Sequence, residues 1–261
     1  MGQQRGAYVG TDLMPDAVNY LPAPPDTLDV MFGRDMHLYY WGKSVRATER
    51  GDTALIDANS SLTNLMAIFS APFGMPLSRE NTPAIYTLLN NALATTGQGT
   101  TKCKRHYQRM RPCNRFHEEP YSSEHFSETS YPSGHTVKGW SMAMLLVEIN
   151  PSAQDAILKR GYEYGQSRVI VGAHWQSDVD AGRVVAGACV ARLHSIPQFL
   201  EELAAAQAEY KRLSTQLPTD APELAAPSEP DTRWYTIDGL PATPDTRGIV
   251  VGSDGTKTLR P

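Results

Sequence analysis

The sequence predicts a mainly α-helical protein with irregular, proline-rich segments at both ends. Apolar residues recur at steps of three and four in several segments between about residues 35 and 213, whereas strand-like alternation is scarce. Hydrophobic residues make up 41% of the 261 residues, enough for a sizeable core. We therefore expect an all-α fold with an extended N-terminal arm at residues 1–34, a helical domain at 35–213 and a tail at 214–261.

The arm and the helices are predicted from local composition. The stretch LMPDAVNYLPAPPDTLDV is rich in proline and aspartate, which favours an extended arm lying on the body of the protein. Helical patterns follow from about Asp35 to Ala94, and the segment beginning PSAQD predicts a helix of about five turns behind a start that resembles a capping box. The segment HWQSDVDAGRVVAGACVARLHS predicts another helix, with small residues on one face for close packing.

The tail differs from the rest of the chain. Residues 214–261 hold seven of the 19 prolines and an excess of acidic residues, and their only apolar patches are WYTI and GIVV. We expect this Pro-rich acidic tail to be partly ordered at most.

Charge and hydropathy exclude several classes of protein. The formal net charge of −4 argues against nucleic acid as a partner, so any anion site has to be local. No apolar run approaches the roughly 18 to 20 residues that a membrane span needs, and the N-terminal MGQQRGAYVG lacks the apolar core of a signal peptide. Three cysteines cannot all pair within one chain, so the disulfide state of Cys103, Cys113 and Cys189 stays open.

Three segments carry polar residues that a plain helical core does not need. In KRHYQRMRP, Lys104 and Arg111 are seven residues apart, so on one helix both would project from the same face. In SYPSGHT, Ser133 and Gly134 precede an apolar helix. Ser at a helix start and Gly in a turn are ordinary capping chemistry, but the same first turn can also bind an anion.

The third segment is SRVIVGAHWQSD. Arg168 stands in an otherwise apolar stretch, and His174 precedes Asp178 by four residues. On a helix this spacing would let the carboxylate accept a hydrogen bond from one imidazole nitrogen and leave the other free as a base or nucleophile. A pair that only stabilises a helix fits the same spacing.

Taken together, the three segments predict phosphoryl transfer, in which the protein mainly positions the phosphoryl group and neutralises its charge. Three cations and the Ser133–Gly134 helix start would hold the oxygens. His174 would attack phosphorus, and protonated His135 would donate to the leaving oxygen and later accept a proton from water. This scheme needs no metal ion and predicts a bell-shaped pH profile on the acidic side.

The segments match K-x6-R-P, P-S-G-H and S-R-x5-H-x3-D in order, which resembles the signature of the type 2 phosphatidic acid phosphatase superfamily. More narrowly, SYPSGHT, EINP and ILKRGYEYGQSRVIVGAHWQSDVDAGRVV resemble the bacterial class A non-specific acid phosphatases. The resemblance implies an all-α helical bundle, a periplasmic or secreted location, and metal-independent hydrolysis of small phosphomonoesters. It also implies phosphotransfer to alcohols in many cases, and homo-oligomers built on dimers.

The motif positions assign the predicted site residues. The catalytic residues are His174, His135 and Asp178; the phosphate-binding residues are Lys104, Arg111, Ser133, Gly134 and Arg168; no metal ligand and no cofactor are expected. The segment PCNRFHEEPYSSEHFSE, with His117 and His125, departs from the pattern of close relatives and is expected to border the pocket.

Two alternatives stay open. A vanadate-dependent haloperoxidase-like enzyme would use the same anion site without a nucleophile, and a non-catalytic phosphate-binding module would need only the cations. The presence of both His135 and His174 favours catalysis over binding alone.

Overall fold

The structure is a computed structural model that describes residues 6–119, 121–122, 129–216, 234–236, 242–243, 246–252 and 257–260. The chain divides into two units, Met1–Leu213 and Ser214–Pro261. The helices of the described residues are α1 (Val30–Ser44), α2 (Glu49–Asp57), α3 (Leu62–Phe73), α4 (Pro83–Thr96), α5 (Thr101–Tyr107), α6 (Pro112–Phe116), α7 (Gly134–Ile149), α8 (Gln154–Ile170), α9 (Gln176–Leu193) and α10 (Pro197–Ser214). The predicted all-α fold class is confirmed.

The segment before α1 lies on the helical unit. Short 3-10 turns occur at Thr11–Leu13 and Ala17–Asn19. The Tyr8 amide donates to Thr95 Oγ1 at 2.9 Å. The Asp29 carboxylate caps α1 by accepting from the Met31 amide at 2.8 Å, so the helix begins at Val30, ahead of the predicted arm boundary at residue 34.

Helix α7 runs through the centre of the core and packs against α8 and α9. Met142, Leu145 and Leu146 on α7 are fully buried. The close approach to α8 depends on Gly139, because a Cβ at this position would lie 2.1 Å from the Tyr164 ring. This packing brings the start of α7, the end of α8 and the start of α9 to the same end of the bundle.

The segment with the first two predicted cations is not one helix. Helix α5 ends at Tyr107, Gln108 has a left-handed φ of 44°, and α6 begins only at Pro112. Proline disfavours helical angles in the residue before it, and Arg111 is accordingly extended. The prediction that Lys104 and Arg111 share one helix face is therefore wrong.

The start of α8 also differs from the prediction. A 3-10 turn covers Pro151–Ala153, and α8 begins at Gln154. The Ser152 hydroxyl donates to Asn150 Oδ1 at 2.6 Å instead of capping the helix. The predicted capping box is therefore not formed, although the helix of about five turns is present.

The second unit contains a small sheet that the sequence analysis did not predict. Strands β1 (Trp234–Thr236), β2 (Gly248–Gly252) and β3 (Lys257–Arg260) form an antiparallel sheet in the order β1-β2-β3. Trp234 pairs with Gly252, and Val250 pairs with Thr258. The strands include the patch GIVV and the first three residues of the patch WYTI, but three to five residues are too few for a visible period-two pattern.

The three cysteines are free thiols, and all are buried. Within the described residues, no helix combines the length and apolar character that a bilayer crossing requires.

Candidate active site

The PSGH segment forms the capped start of α7. Ser133 is the N-cap, and its Oγ accepts hydrogen bonds from the Thr136 amide at 3.2 Å and the Thr136 hydroxyl at 2.9 Å. Because Ser133 Oγ accepts both bonds, its own hydroxyl proton remains available to an anion. The amides of Gly134 and His135 lie in the first turn, where helix geometry provides no acceptor within the helix.

Helix α9 holds this turn in place. The Ser133 amide donates to the Asp178 carbonyl at 2.9 Å. A Cβ on Gly182 would lie 2.8 Å from the Ser133 carbonyl oxygen, so glycine permits the close approach of α9. The start of α7 and the start of α9 are thus fixed relative to one another.

The first segment contributes two cations from two different elements. The Lys104 ammonium, on α5, donates to the carbonyls of Thr129 at 2.9 Å and Ser130 at 3.3 Å. Arg111, the N-cap of α6, is 4% exposed and donates through one terminal nitrogen to the Ala173 carbonyl at 2.8 Å. The chain turn between α5 and α6 brings both cations to the site without a shared helix face.

Arg168 lies in the last turn of α8 and is buried. Its carbonyl accepts hydrogen bonds from the amides of Ala173 at 3.0 Å and His174 at 3.2 Å. Gly172, with a φ of 77°, forms the left-handed position of this turn. The turn therefore places His174 directly beside the end of α8.

The surroundings of His174 fix its tautomer. One terminal nitrogen of Arg111 lies 3.1 Å from His174 Nε2, and a guanidinium can only donate. Nε2 must therefore accept, so Nδ1 carries the proton of the neutral ring. Nδ1 lies 3.4 Å from Asp178 Oδ2, a long contact of the kind that catalytic pairs show before substrate binds. The lone pair of Nε2 consequently faces the cations.

The sequence analysis expected the His174–Asp178 pair to form within a helix. In the structure, His174 precedes the helix that contains Asp178. Helix α9 begins at Gln176 with Trp175 as its N-cap, and Asp178 Oδ2 accepts from the Trp175 amide at 2.8 Å. Asp178 thus reaches back over the helix start, and His174 lies outside the helix. The pairing depends on this cap and not on the i,i+4 helical geometry.

The ring of His135 is held through one of its two nitrogens. Its Nε2 lies 2.6 Å from the Asp57 backbone carbonyl, which can only accept, so Nε2 carries a proton. The ring stacks on Tyr164 with centroids 4.9 Å apart. Nδ1 is therefore the nitrogen of His135 that can exchange a proton with a bound molecule.

A buried ion network that the sequence analysis missed supports Asp178. Arg109 donates to Asp178 Oδ1 at 2.6 Å and to Asp35 Oδ2 at 2.7 Å. Asp35, on α1, also accepts from the Ser177 amide at 2.8 Å and the Ser177 hydroxyl at 2.6 Å. The sequence signal was Arg109 inside KRHYQRMRP, but nothing in that segment shows which carboxylates it would meet.

A second buried network, which the sequence analysis also missed, holds the residue whose backbone carbonyl accepts a hydrogen bond from His135. The carboxylate of Asp57, at the end of α2, pairs with Arg160 and accepts from the Ser167 hydroxyl at 2.6 Å. Asp57 and Ser167 are fully buried. This network fixes the carbonyl of Asp57 and, through it, the orientation of the His135 ring.

The site is strongly cationic, and most of its predicted residues are buried. Burial and the charge of Arg168 hold the pKa of His135 well below its usual value, and burial with the charges of Arg111 and Lys104 does the same for His174. Burial and the nearby Arg111 lower the pKa of Lys104 to about 7. Burial raises the pKa of Asp178, and Arg109 opposes that rise. Such a site favours a bound anion.

The structure brings the predicted site residues of all three segments to one end of the bundle. Their shared surroundings are the helix start of α7, the turn after α8 and the cap of α9. His117, predicted to border the pocket, ends α6 in a left-handed conformation with a φ of 53°. His125 lies outside the described residues.

Comparison with known proteins finds a matching family, and also several relatives that cover most of this chain. Residues 85–202 match the PAP2 superfamily. A non-specific acid phosphatase of Providencia stuartii is 44% identical over 76% of this chain and 82% of its own length. A non-specific acid phosphatase of Salmonella typhimurium is 39% identical over 73% of this chain and 78% of its own length. An acid phosphatase of Zymomonas mobilis is 32% identical over 78% of this chain and 80% of its own length.

The chain belongs to the PAP2 superfamily, within the acid phosphatases that these relatives represent. It is therefore an enzyme of the phosphoric monoester hydrolase class.

Proposed function

We propose that this acid phosphatase hydrolyses small phosphomonoesters without a metal ion, through a phosphohistidine on His174. The observation that carries the proposal is the orientation of His174, whose unprotonated Nε2 faces Arg111 while Nδ1 faces Asp178. Lys104, Arg111 and Arg168 supply the positive charge that a metal ion supplies in other phosphatases.

In the first step, Nε2 of neutral His174 attacks phosphorus in line with the leaving oxygen. The N–P bond forms as the bond between phosphorus and the leaving oxygen breaks, and protonated His135 gives a proton from Nδ1 to that oxygen. Asp178 stabilises the positive charge that develops on the His174 ring.

In the second step, water attacks the phosphohistidine and gives its proton to His135 Nδ1. The N–P bond breaks, inorganic phosphate leaves, and both histidines return to their starting forms. An alcohol in place of water would accept the phosphoryl group instead, which accounts for the proposed phosphotransfer activity.

The first test is hydrolysis of p-nitrophenyl phosphate from about pH 4 to about pH 8 in the presence of EDTA. We expect turnover that survives the chelator and is greatest on the acidic side, because the lowered pKa of His135 moves its protonation, which the first step requires, to acidic pH. Loss of activity with EDTA, restored by a divalent cation, would contradict metal independence. Absence of turnover with and without added metal would contradict the proposed function.

The alternatives predict different outcomes in the same assay. A haloperoxidase-like enzyme would oxidise bromide only after addition of vanadate and peroxide, and a binding module would retain phosphate without turnover. The naming of the relatives as acid phosphatases supports hydrolysis over both.

Lys104 should shape the alkaline side of the pH profile. Its pKa of about 7 means that the ammonium is charged below this pH and loses its charge above it. Lys104→Arg keeps the charge throughout, since a guanidinium does not deprotonate in this range. Above about pH 7, we expect log(kcat/KM) to fall less steeply with pH in this variant than in the wild type.

The matched control is Lys102→Arg, which changes a partly exposed lysine of the same helix that pairs with Asp16 at 3.6 Å. Substrate ionisation is identical in all three proteins, so only the enzyme can cause a difference in slope. Parallel alkaline limbs in the wild type and Lys104→Arg would show that Lys104 does not titrate in the free enzyme.

Location and assembly stay predictions that rest on the resemblance. We propose a periplasmic or secreted enzyme that forms homo-oligomers built on dimers. Fractionation of cells that produce the full protein, followed by light scattering of the purified protein, tests both.

A further inference from the structure

A cavity of about 380 Å³ lies between α3, α4 and α7. Its apolar wall consists of Leu62 and Leu65 on α3 and of Leu89 and Leu93 on α4. Lys138 on α7 also lines it and is its one charged lining residue in the described chain. Uncharged polar residues also line the cavity, namely Ser60, Asn90, Gln98 and Thr101. The cavity therefore joins an apolar wall, polar groups and a single positive charge.

This cavity borders the phosphate-binding turn. Lys138 follows His135 by three residues on α7, so both lie on the same face of the helix. Thr101 also lines the cavity, and its neighbour Thr100 has its Oγ1 3.6 Å from the position that a Cβ on Gly134 would take. The charge of Lys138 also helps to lower the pKa of His135.

Lys138 makes no ion pair or hydrogen bond with any residue that the structure describes. It is half-buried, and burial lowers the pKa of its ammonium. Withdrawing an ammonium from water without a partner is unfavourable. A ligand anion that pairs with Lys138 would therefore gain more binding free energy here than at the open surface.

We propose that this cavity receives the leaving group of the substrate and that Lys138 selects leaving groups that carry a second negative charge. The inference rests on the proposed phosphatase function. The preferred substrate has an apolar body against the leucine wall and a carboxylate or phosphate-like group within reach of Lys138. The transferred phosphoryl group occupies the separate site of Ser133, Arg111 and Arg168.

The test compares phenyl phosphate with 4-carboxyphenyl phosphate and with 4-phosphonophenyl phosphate, whose phosphonate cannot be hydrolysed. For each protein the measured quantity is the ratio of kcat/KM for a charged substrate to kcat/KM for phenyl phosphate. We expect Lys138→Met, which keeps the length of the side chain, to lower this ratio at least about fivefold. The wild-type ratio should also fall as ionic strength rises.

The carboxylate and phosphonate substrates show which negatively charged group the cavity accepts. Only for the group that fits the cavity should the kcat/KM ratio to phenyl phosphate fall in Lys138→Met. Lys159→Met is the matched control, because it removes one exposed lysine on α8 whose nearest acidic partner is Glu163 at 3.9 Å. This control should keep the wild-type ratios.

Two results would overturn the inference. One is a Lys138→Met variant whose ratios stay within about twofold of the wild type for both charged substrates. The other is an equal fall in the ratios of Lys138→Met and Lys159→Met, which would assign the effect to net charge. Both results leave phenyl phosphate turnover as independent evidence on the proposed function.

Discussion

Replacing His174 by alanine should lower kcat for p-nitrophenyl phosphate by at least about 10⁴-fold, the scale on which loss of a covalent nucleophile acts. No other described imidazole has an unprotonated nitrogen that accepts from Arg111. Binding of phosphate or vanadate should remain measurable by calorimetry, because the three cations of the site are unchanged. A large loss of turnover with retained binding separates the nucleophile from the anion site.

Two further measurements make this prediction specific. Rapid quenching of the wild type in alkali with ³²P-labelled substrate should trap an acid-labile phosphoenzyme that His174→Ala does not form. Added imidazole should restore part of the variant's turnover by entering the vacated space. A merely structural role of His174 would give neither result.

The matched control is His194→Ala. His194 lies at the end of α9, and its Nε2 is 3.0 Å from Glu148, with the side chain 41% exposed. This variant should form the phosphoenzyme and turn over substrate. Turnover by His174→Ala within about tenfold of the control would contradict the nucleophile role, since loss of the attacking group cannot be so mild.

Replacing Arg109 by methionine should lower the free energy of unfolding by about 3–5 kcal/mol, the cost of breaking a buried ion pair by removing one partner. The Arg109 side chain is 9% exposed and neutralises Asp35 and Asp178, which are 1% and 0% exposed. Without the guanidinium, both carboxylates would stay buried without their compensating cation. Urea unfolding followed by circular dichroism measures the change.

Arg105→Met is the control for loss of one positive charge from α5 and the turn after it, since Arg105 is exposed on that helix. Its unfolding free energy should change by no more than about 0.5 kcal/mol. Adding Asp35→Asn to Arg109→Met should recover part of the lost stability, because one of the two carboxylates no longer carries charge. A loss below about 1 kcal/mol in Arg109→Met, or no coupling with Asp35, would contradict the proposed network.

We propose that Arg109 is also a positioning residue for catalysis, because it holds the carboxylate that faces His174. In Arg109→Met we expect kcat to fall more than KM rises, since the phosphate-binding cations are untouched. The double variant with Asp35→Asn should regain stability without regaining full kcat, because Asp178 still lacks its guanidinium partner.

The all-α fold class and the three polar segments could be predicted from local sequence. Amphipathic spacing identifies α8 and α9, since side chains three and four residues apart share one face of a helix. The helix start at Ser133 follows from capping preference, which depends on a few neighbouring residues. These features involve interactions over short stretches of chain, so one sequence contains enough information to predict them.

Contacts between distant parts of the chain are decided only by the tertiary structure. Arg109 meets Asp35 across 74 positions of sequence, and the Asp57 carbonyl meets His135 across 78. Two predicted pairs were each expected on one helix, and neither is. The chain breaks after α5 between Lys104 and Arg111, and α9 begins only after His174. Sequence determined the chemical groups and the local helix ends, whereas packing of α7 against α8 and α9 decided which groups meet. The physical reason is that local preferences act over one or two turns, while a buried charge is stabilised by whichever partner the fold brings into contact.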